Sequence, residues 1–317
     1  MRCKWCGYES ADPDDFEEDY KNHRGFWCPM CNYFTYFTGM EVPQISVIVL
    51  EENGDNESLH KSTKIKYDRS ISPLRYPGGK SKMVSLVGDM IQEQHTTFVE
   101  PFCGGSSVGL ALLSAGIIDK LILNDLDTGV YSLFHTICTN PDPLADRINE
   151  FVPSKESYFR FRSSILSGYA DLSELEAGFE FLAVNRMAYS GICKANPMGN
   201  IAARYNPVDL VNRIYKISSI ADRISVIHSD AAKVIEDYYW NQKATLFIDP
   251  PYYVKGKALY NKFFTDAQHR ELAELIESLY CGTPGAADFI VTYDNADFIR
   301  SLYWFADQEV LQRKFVI

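Results

Sequence analysis

The run Thr96–Gly116, TTFVEPFCGGSSVGLALLSAG, decides the fold. Its first five residues, TTFVE, are β-prone around Phe98 and Val99, and Pro101 ends them. Two glycines, Gly104 and Gly105, then precede SSVGLALLSAG, whose apolar spacing is helical. The segment reads as strand, turn and helix. Gly104 and Gly105 permit positive φ and close backbone approach, and a helix N-terminus offers free amides. Such a turn accommodates a nucleotide-like ligand, although plain α/β packing uses it too. Downstream, KLILNDLD reads as a second strand ending in Asp125 and Asp127, and VYSLFHTI as the helix after it. An acid at that strand end accepts hydrogen bonds from ribose hydroxyls. NAD and S-adenosylmethionine enzymes share this arrangement, and solvated loop acids would look the same. ATLFIDPPYY, DAQHRELAELIESLY and ADFIVTYDN continue as strand, amphipathic helix and strand. The alternation predicts an α/β fold, a Rossmann-like parallel sheet with helices on both faces. Residues of about 135–225 are richer in Arg, Tyr and Asn and read as an inserted helical subdomain.

The chain has 317 residues, 46% hydrophobic and 23% charged, which suits one α/β enzyme domain plus a small appendage. No apolar run reaches the roughly 18–20 residues of a membrane span. MRCKWCGYES lacks the apolar core of a signal peptide. The expectation is a soluble cytoplasmic protein with no membrane partner. The net charge of −11 argues against broad nonspecific nucleic-acid binding, but a cleft needs only a local basic surface.

Of eight cysteines, Cys103, Cys138, Cys193 and Cys281 are scattered and expected to be reduced. Cys3, Cys6, Cys28 and Cys31 form two C-x-x-C pairs separated by roughly 20 residues, within the range of paired metal knuckles. Residues 1–40 contain too few aliphatics to fold without a staple. They are expected to form a zinc ribbon. The CxxCGY and WCPxC pieces resemble rubredoxin, which keeps iron on four thiolates open, but the loop is shorter and structural zinc is preferred. The acidic stretch Asp12–Asp19 argues against a phosphate clamp. Residues 41–70 read as a short strand, Gln44–Leu50, and a polar linker.

Asp249-Pro250-Pro251-Tyr252 carries the chemistry. The exocyclic amine of adenine is a poor nucleophile because its lone pair delocalises into the ring. A carboxylate (Asp249) and a backbone carbonyl (Pro250), each accepting one amine hydrogen, would localise that lone pair for attack on a methylsulfonium. The two prolines hold the loop rigid, favouring a near-attack geometry. Tyr252 offers an aromatic face to a base rotated out of the duplex. Taken alone, D-P-P-Y is also an ordinary turn at a strand end.

The order of these motifs resembles the Dam-type N6-adenine DNA methyltransferases. SPLRYPGGKSKM, with Arg75 to Lys80, is similar to the family's leading motif. That likeness assigns Tyr76, Gly79 and Lys80 to the cofactor pocket. EPFCGGSSV matches the cofactor turn at Glu100, Pro101, Phe102, Gly104 and Gly105. NDLD resembles D-I-N, with Asp125 as the ribose-binding acid and Asp127 where Asn is usual. In HSDA, Asp230 stands at the acid contacting the cofactor adenine, and Ala231 replaces the usual aromatic. Asp249 borders both cofactor and base. NRMAYSGICKANPMGN resembles the family's recognition stretch at Asn185, Arg186 and Gly191. Lys194 stands near the position of the family's arginine. DPPYYVKGKALYNKFFTDAQHRELAELI matches closely, including Tyr260 and Phe264.

The resemblance runs from Ile71 to about Tyr303. It implies a methyltransferase domain over 71–317, S-adenosylmethionine as cofactor, and double-stranded DNA as substrate. A short palindrome is the family-level expectation for the site. Arg160, Arg162, Arg186, Lys194, Arg204 and Arg213 form the local basic set, with Arg186, Lys194 and Arg204 the expected DNA contacts. The final strands look abbreviated, so the tail is either trimmed or paired differently. Adenine in RNA remains an alternative substrate. A non-enzymatic scaffold is disfavoured by intact DPPY and Asp125. An NAD enzyme fails on the absence of a full G-x-G-x-x-G.

Overall fold

The computed structural model describes residues 1–12, 15–18, 25–31, 33–36, 45–52, 65–75, 79–254, 256, 263–282 and 287–313. A small antiparallel sheet, β1 (Glu17–Glu18), β2 (Gly25–Trp27) and β3 (Phe34–Tyr36), forms the N-terminal ribbon. Its core is Cys3, Phe16, Phe26 and Cys28.

The main sheet has seven strands: β4 (Ile45–Glu52), β5 (Thr97–Glu100), β6 (Lys120–Asn124), β7 (Ile224–Ile227), β8 (Ala244–Ile248), β9 (Asp288–Asp294) and β10 (Asp307–Arg313). Their order is β10-β4-β9-β8-β5-β6-β7, and every pairing is parallel. Buried on both faces, the central strands are continuous apolar runs: all of β8 (ATLFI) is buried. β8 stops where Pro250 and Pro251 remove backbone donors, and β5 stops at Pro101 for the same reason.

Helices fill the crossovers: α1 (Val84–Met90), α2 (Gly109–Ser114), α3 (Thr128–Thr139), α4 (Pro141–Glu150), α5 (Lys155–Leu166), α6 (Glu174–Met187), α7 (Pro207–Ser218), α8 (Ala231–Tyr239), α9 (Asp266–Gly282) and α10 (Asp297–Leu302). The inserted block is α3–α7, between β6 and β7, close to the expected 135–225. Side-chain caps open five of these helices, α3, α5, α6, α7 and α8. Asp127 accepts from Gly129 N, Ser154 from Ser157 N, Ser173 from Glu176 N, Asn206 from Asp209 N and Asp230 from Ala232 N. The insertion shares its core with one face of the sheet. Phe134, Phe161, Phe179 and Phe181 belong to the same buried cluster as Phe98, Leu110 and Phe247.

One expected boundary is corrected. The strand after the ribbon was placed ahead of the enzyme domain, with the sheet beginning after residue 71. β4 instead pairs with β9 along Ile45–Leu50 and with β10 along Ser46–Glu52, deep inside the sheet. Val47, Ile48 and Val49 are almost completely buried, which a linker strand would not achieve. The tail therefore pairs differently: β10 lies against this N-terminal strand. The polar linker at 53–64 lies outside the described residues.

No described helix is long and apolar enough to cross a membrane.

Candidate active site and four-cysteine ribbon

β5 leads to β6 and β7 on one side, whereas β8 and β9 lie on the other, so the chain reverses direction between β5 and β8. At such a switch point the carboxyl ends of the strands open a crevice. A cavity of about 960 Å³ lies there. Gly79, Lys80, Glu100, Pro101, Phe102, Gly104, Gly105, Asp125, Asp230, Asp249, Pro251 and Tyr252 line it. Twelve expected site residues from five separated stretches thus meet in one place. Pro250 is buried between Asp249 and Pro251. Tyr76 and Tyr260 lie outside the described residues.

The glycine turn is held from β6. Asp125 accepts from Gly104 N through Oδ2 (2.9 Å) and from Asp127 N through Oδ1 (2.9 Å). Each oxygen keeps a lone-pair position for a ligand hydroxyl. Gly104 adopts φ +45°, as expected, but the second left-handed residue is Ser106, also at φ +45°, rather than Gly105. Glu100 turns away from the turn and accepts from Gly109 N at the start of α2 (3.0 Å). Its Oε2 is buried with no hydrogen-bond partner among the described residues. Burial pushes the Glu100 carboxyl up to about 7, and burial likewise raises half-buried Asp125 to about 7. Asn124, which the sequence reading passed over, ties three strand ends together. Its Nδ2 donates to Pro101 O and Ser229 O, and its Oδ1 accepts from Ser229 N.

The Asp249–Tyr252 loop is fixed from two directions. Lys80 Nζ donates to Asp249 Oδ1 (2.5 Å) and Oδ2 (2.7 Å) and to the Tyr252 hydroxyl (2.6 Å). It also lies 4.7 Å from the Tyr252 ring centroid. Thr292 Oγ1 donates to Asp249 Oδ1 (2.6 Å). The β8–β9 register, Ile248 opposite Val291, brings Thr292 beside Asp249. Asp294, at the end of β9, accepts from Tyr253 N (2.9 Å) and Val254 N (2.7 Å), pinning the backbone just after Tyr252. Asp249 Oδ1 is thereby saturated, whereas Oδ2 keeps one lone-pair position among the described residues.

The arrangement fits a family. A model of the D12 class N6 adenine-specific DNA methyltransferases matches residues 76–316. The chain belongs to that family. As such it is an S-adenosylmethionine-dependent enzyme that methylates adenine in DNA. It is 24% identical to the type II methyltransferase M.MjaIII of Methanocaldococcus jannaschii, over 73% of this chain and 86% of that protein. It is 26% identical to a DNA adenine methylase of Escherichia coli, over 65% of this chain and 75% of that protein. With the type II methyltransferase M.CviBI of Paramecium bursaria Chlorella virus NC1A it shares 21% identity, over 73% of this chain and 85% of that protein.

In this methyltransferase the basic set divides. Arg186, an expected DNA contact, is buried, and its Nε donates to Pro73 O (2.8 Å). Burial pulls its pKa down to about 10. Together with Asn185 and Gly191 it forms a clasp on the start of the leading motif, at Pro73 and Arg75. Asn185 Oδ1 accepts from Arg75 N (2.8 Å), and its Nδ2 donates to Arg75 O (2.9 Å) and Gly191 O (3.0 Å). Gly191 has φ +76°, and a Cβ there would meet Arg75 O at 2.0 Å. The stretch expected to read DNA thus contributes structure through Arg186.

Arg162 donates to Lys194 O and Arg213 to Ser72 O and Asp209, so these two are also committed internally. Lys194 is half-buried, its ammonium 5.3 Å from the Phe263 ring. Arg204 is exposed and is not among the residues that line the cavity.

In the ribbon, Cys3, Cys6, Cys28 and Cys31 present sulfurs that all lie within 4.8 Å of one another. Two pairs, Cys3–Cys31 and Cys6–Cys28, stand at 3.6 Å. Gly7, at φ +76°, donates to Cys3 O and closes the first knuckle.

Proposed function

We propose that this methyltransferase modifies the N6 amine of adenine within a short double-stranded DNA sequence, with Asp249 and the Pro250 carbonyl as the amine acceptors. The observation that carries this reading is the Asp249 carboxylate at the cavity wall. Lys80 and Thr292 hold it, and one Oδ2 lone pair is left for an incoming hydrogen. The amine gives one hydrogen bond to Oδ2 and one to the Pro250 carbonyl, so its nitrogen lone pair is drawn out of ring conjugation. Lys80 and Asp294 fix this geometry before the base arrives, which lowers the entropic part of the barrier. Tyr252 forms the wall against which the extruded ring stacks.

The fit to a nucleoside-bearing cofactor rests on two chemical features. The half-buried Asp125 has acceptor positions for ribose hydroxyls, and Glu100 Oε2, which has no hydrogen-bond partner among the described residues, is buried in the same wall. Glu100, Pro101, Phe102, Gly104, Gly105, Asp125 and Asp230 would hold S-adenosylmethionine, with Gly79 and Lys80 between it and the base. When bound, the cofactor supplies an electrophilic methyl group. Lys194 and Arg204 supply phosphate or base contacts from the insertion.

The ribbon is read as a structural zinc site. A tetrahedral Zn²⁺ at roughly 2.3 Å from each sulfur requires sulfur separations of about 3.8 Å, and the observed pairs at 3.6 Å support that geometry.

The test is transfer of tritiated methyl from S-adenosylmethionine to unmethylated plasmid, followed by nucleoside analysis. Labelled N6-methyladenine at a mappable duplex site is expected. Label only on single strands or on RNA would overturn the duplex reading.

A further inference from the structure

The ribbon lies outside the matched family region of 76–316, yet it is seated on the enzyme domain. Trp5 packs edge-on against Tyr280 of α9 at 5.8 Å and against Tyr33 at 5.7 Å. Lys4 Nζ stands 4.5 Å from the Trp5 ring and 6.0 Å from that of Tyr280. The Tyr33 hydroxyl donates to Glu277 of α9, and its ring meets Trp304 at 6.0 Å. Trp5 sits between two of the four cysteines, Cys3 and Cys6. Closing the knuckle around a metal therefore fixes the residue that docks on α9.

The other side of α9 belongs to the cavity. Gln268, Glu271, Leu272 and Leu275 line it. At 3.6 residues per turn, this stripe and the ribbon-facing Glu277 and Tyr280 lie roughly 160° apart around the helix. A contact chain continues from α9 to the cofactor turn: His269 packs on Phe264 at 5.3 Å, and Phe264 on Phe102 at 5.7 Å. The helix is thus held between the ribbon and the cavity, and movement on one side reaches the other through packed rings.

We infer that the metal-loaded ribbon is a brace on α9 that sets the enzyme's affinity for S-adenosylmethionine. The inference rests on reading Cys3, Cys6, Cys28 and Cys31 as a metal site. Linkage makes the effect reciprocal: cofactor binding tightens metal binding by the same factor.

The experiment uses the full chain with its metal content measured by mass spectrometry. Removing zinc with a chelator is expected to weaken cofactor binding, measured by calorimetry, by about tenfold. It is also expected to speed amide exchange over 266–282, and restoring zinc should reverse both changes. Saturating cofactor should slow zinc release to the chelator. The paired substitutions Glu277→Gln and Tyr280→Ala, outside the catalytic residues, should retain zinc and secondary structure yet weaken cofactor binding similarly. A purified chain without zinc would overturn the metal-site reading itself. Bound zinc whose removal leaves affinity and exchange unchanged would overturn only the brace. Unchanged affinity in the zinc-retaining Glu277→Gln, Tyr280→Ala chain would do the same.

Discussion

Lys80 Nζ lies 2.5 and 2.7 Å from the two carboxylate oxygens of Asp249, although the residues are 169 positions apart. The same ammonium reaches the Tyr252 hydroxyl, so one cation from the leading motif orients both side chains of the Asp249–Tyr252 loop. Asp249→Ala is expected to lower kcat about a thousandfold while cofactor affinity changes little, because it removes the contact proposed for the reacting amine. Lys80→Met should lower kcat as well, since the carboxylate then loses its orientation. Single-turnover kinetics with calorimetric cofactor binding separates the two effects. Full activity in Asp249→Ala would remove it from the reaction.

Asp294 makes a related prediction from the other side of the loop. Its two hydrogen bonds go to backbone amides, Tyr253 N and Val254 N, so its role is positioning. Asp294→Ala should lower kcat by about one to two orders of magnitude with KM for DNA nearly unchanged. Asp294→Asn retains one acceptor oxygen and should recover part of that loss. Equal losses in the two variants would argue against the hydrogen bonds as the cause.

Glu100 gives the enzyme a pH signature. Its carboxyl is buried and held at about 7, against 4.5 for the free group, chiefly by burial. A raised folded-state pKa means that the native state binds the proton more tightly than the unfolded chain does. The stabilisation is fully present below pH 4.5 and is lost as pH rises through about 7, an effect on the order of 3 kcal/mol. Glu100→Gln cannot ionise. It should be more stable than the parent at pH 8, and no more stable than the parent near pH 4.5. Thermal melts of the two proteins at both pH values test this, and parallel melts at the two values would refute it.

The strand-turn-helix order and the meeting of the leading motif, the cofactor turn and DPPY were legible because each is a local pattern ending in glycine or proline. Pairing across the sheet was not. Nothing in ISVIVLEE says that β4 enters between β9 and β10, since parallel partners are set by tertiary contacts over long sequence separations. Thr292 and Asp294 escaped notice for the same reason: only the β8–β9 register brings them to Asp249 and its loop. The burial of Arg186 does have a signal in the sequence. Arg186 sits in FEFLAVNRM, a helical stretch buried throughout Phe179–Met187, and a charge within such a stretch is inside the fold.

Gly191 turns the clasp into a stability prediction. With φ +76° and a Cβ position 2.0 Å from Arg75 O, Gly191→Ala must distort either its own backbone or the segment that leads into Lys80. A loss of at least about 3 kcal/mol is expected. Gly199 has nothing within 4 Å of a Cβ, and Gly199→Ala should stay within about 0.5 kcal/mol of the parent. Denaturant midpoints for the two variants make the comparison.

The division of the basic residues is the sharpest test of the DNA-facing surface. Arg186 donates to Pro73 O from a buried position, so Arg186→Ala leaves that carbonyl unpaired and should cost about 1–3 kcal/mol of stability. Lys194 is half-buried with its ammonium 5.3 Å from the Phe263 ring, and its neighbour Cys193 lines the cavity. Lys194→Ala should leave the melting temperature nearly unchanged. It should weaken DNA binding and reduce the slope of log affinity against log salt by about one, the signature of one lost phosphate contact. If the slope stays constant while discrimination between sites relaxes, Lys194 reads a base edge instead. If neither changes, the duplex enters from another side of the insertion, and Arg204 becomes the next residue to substitute.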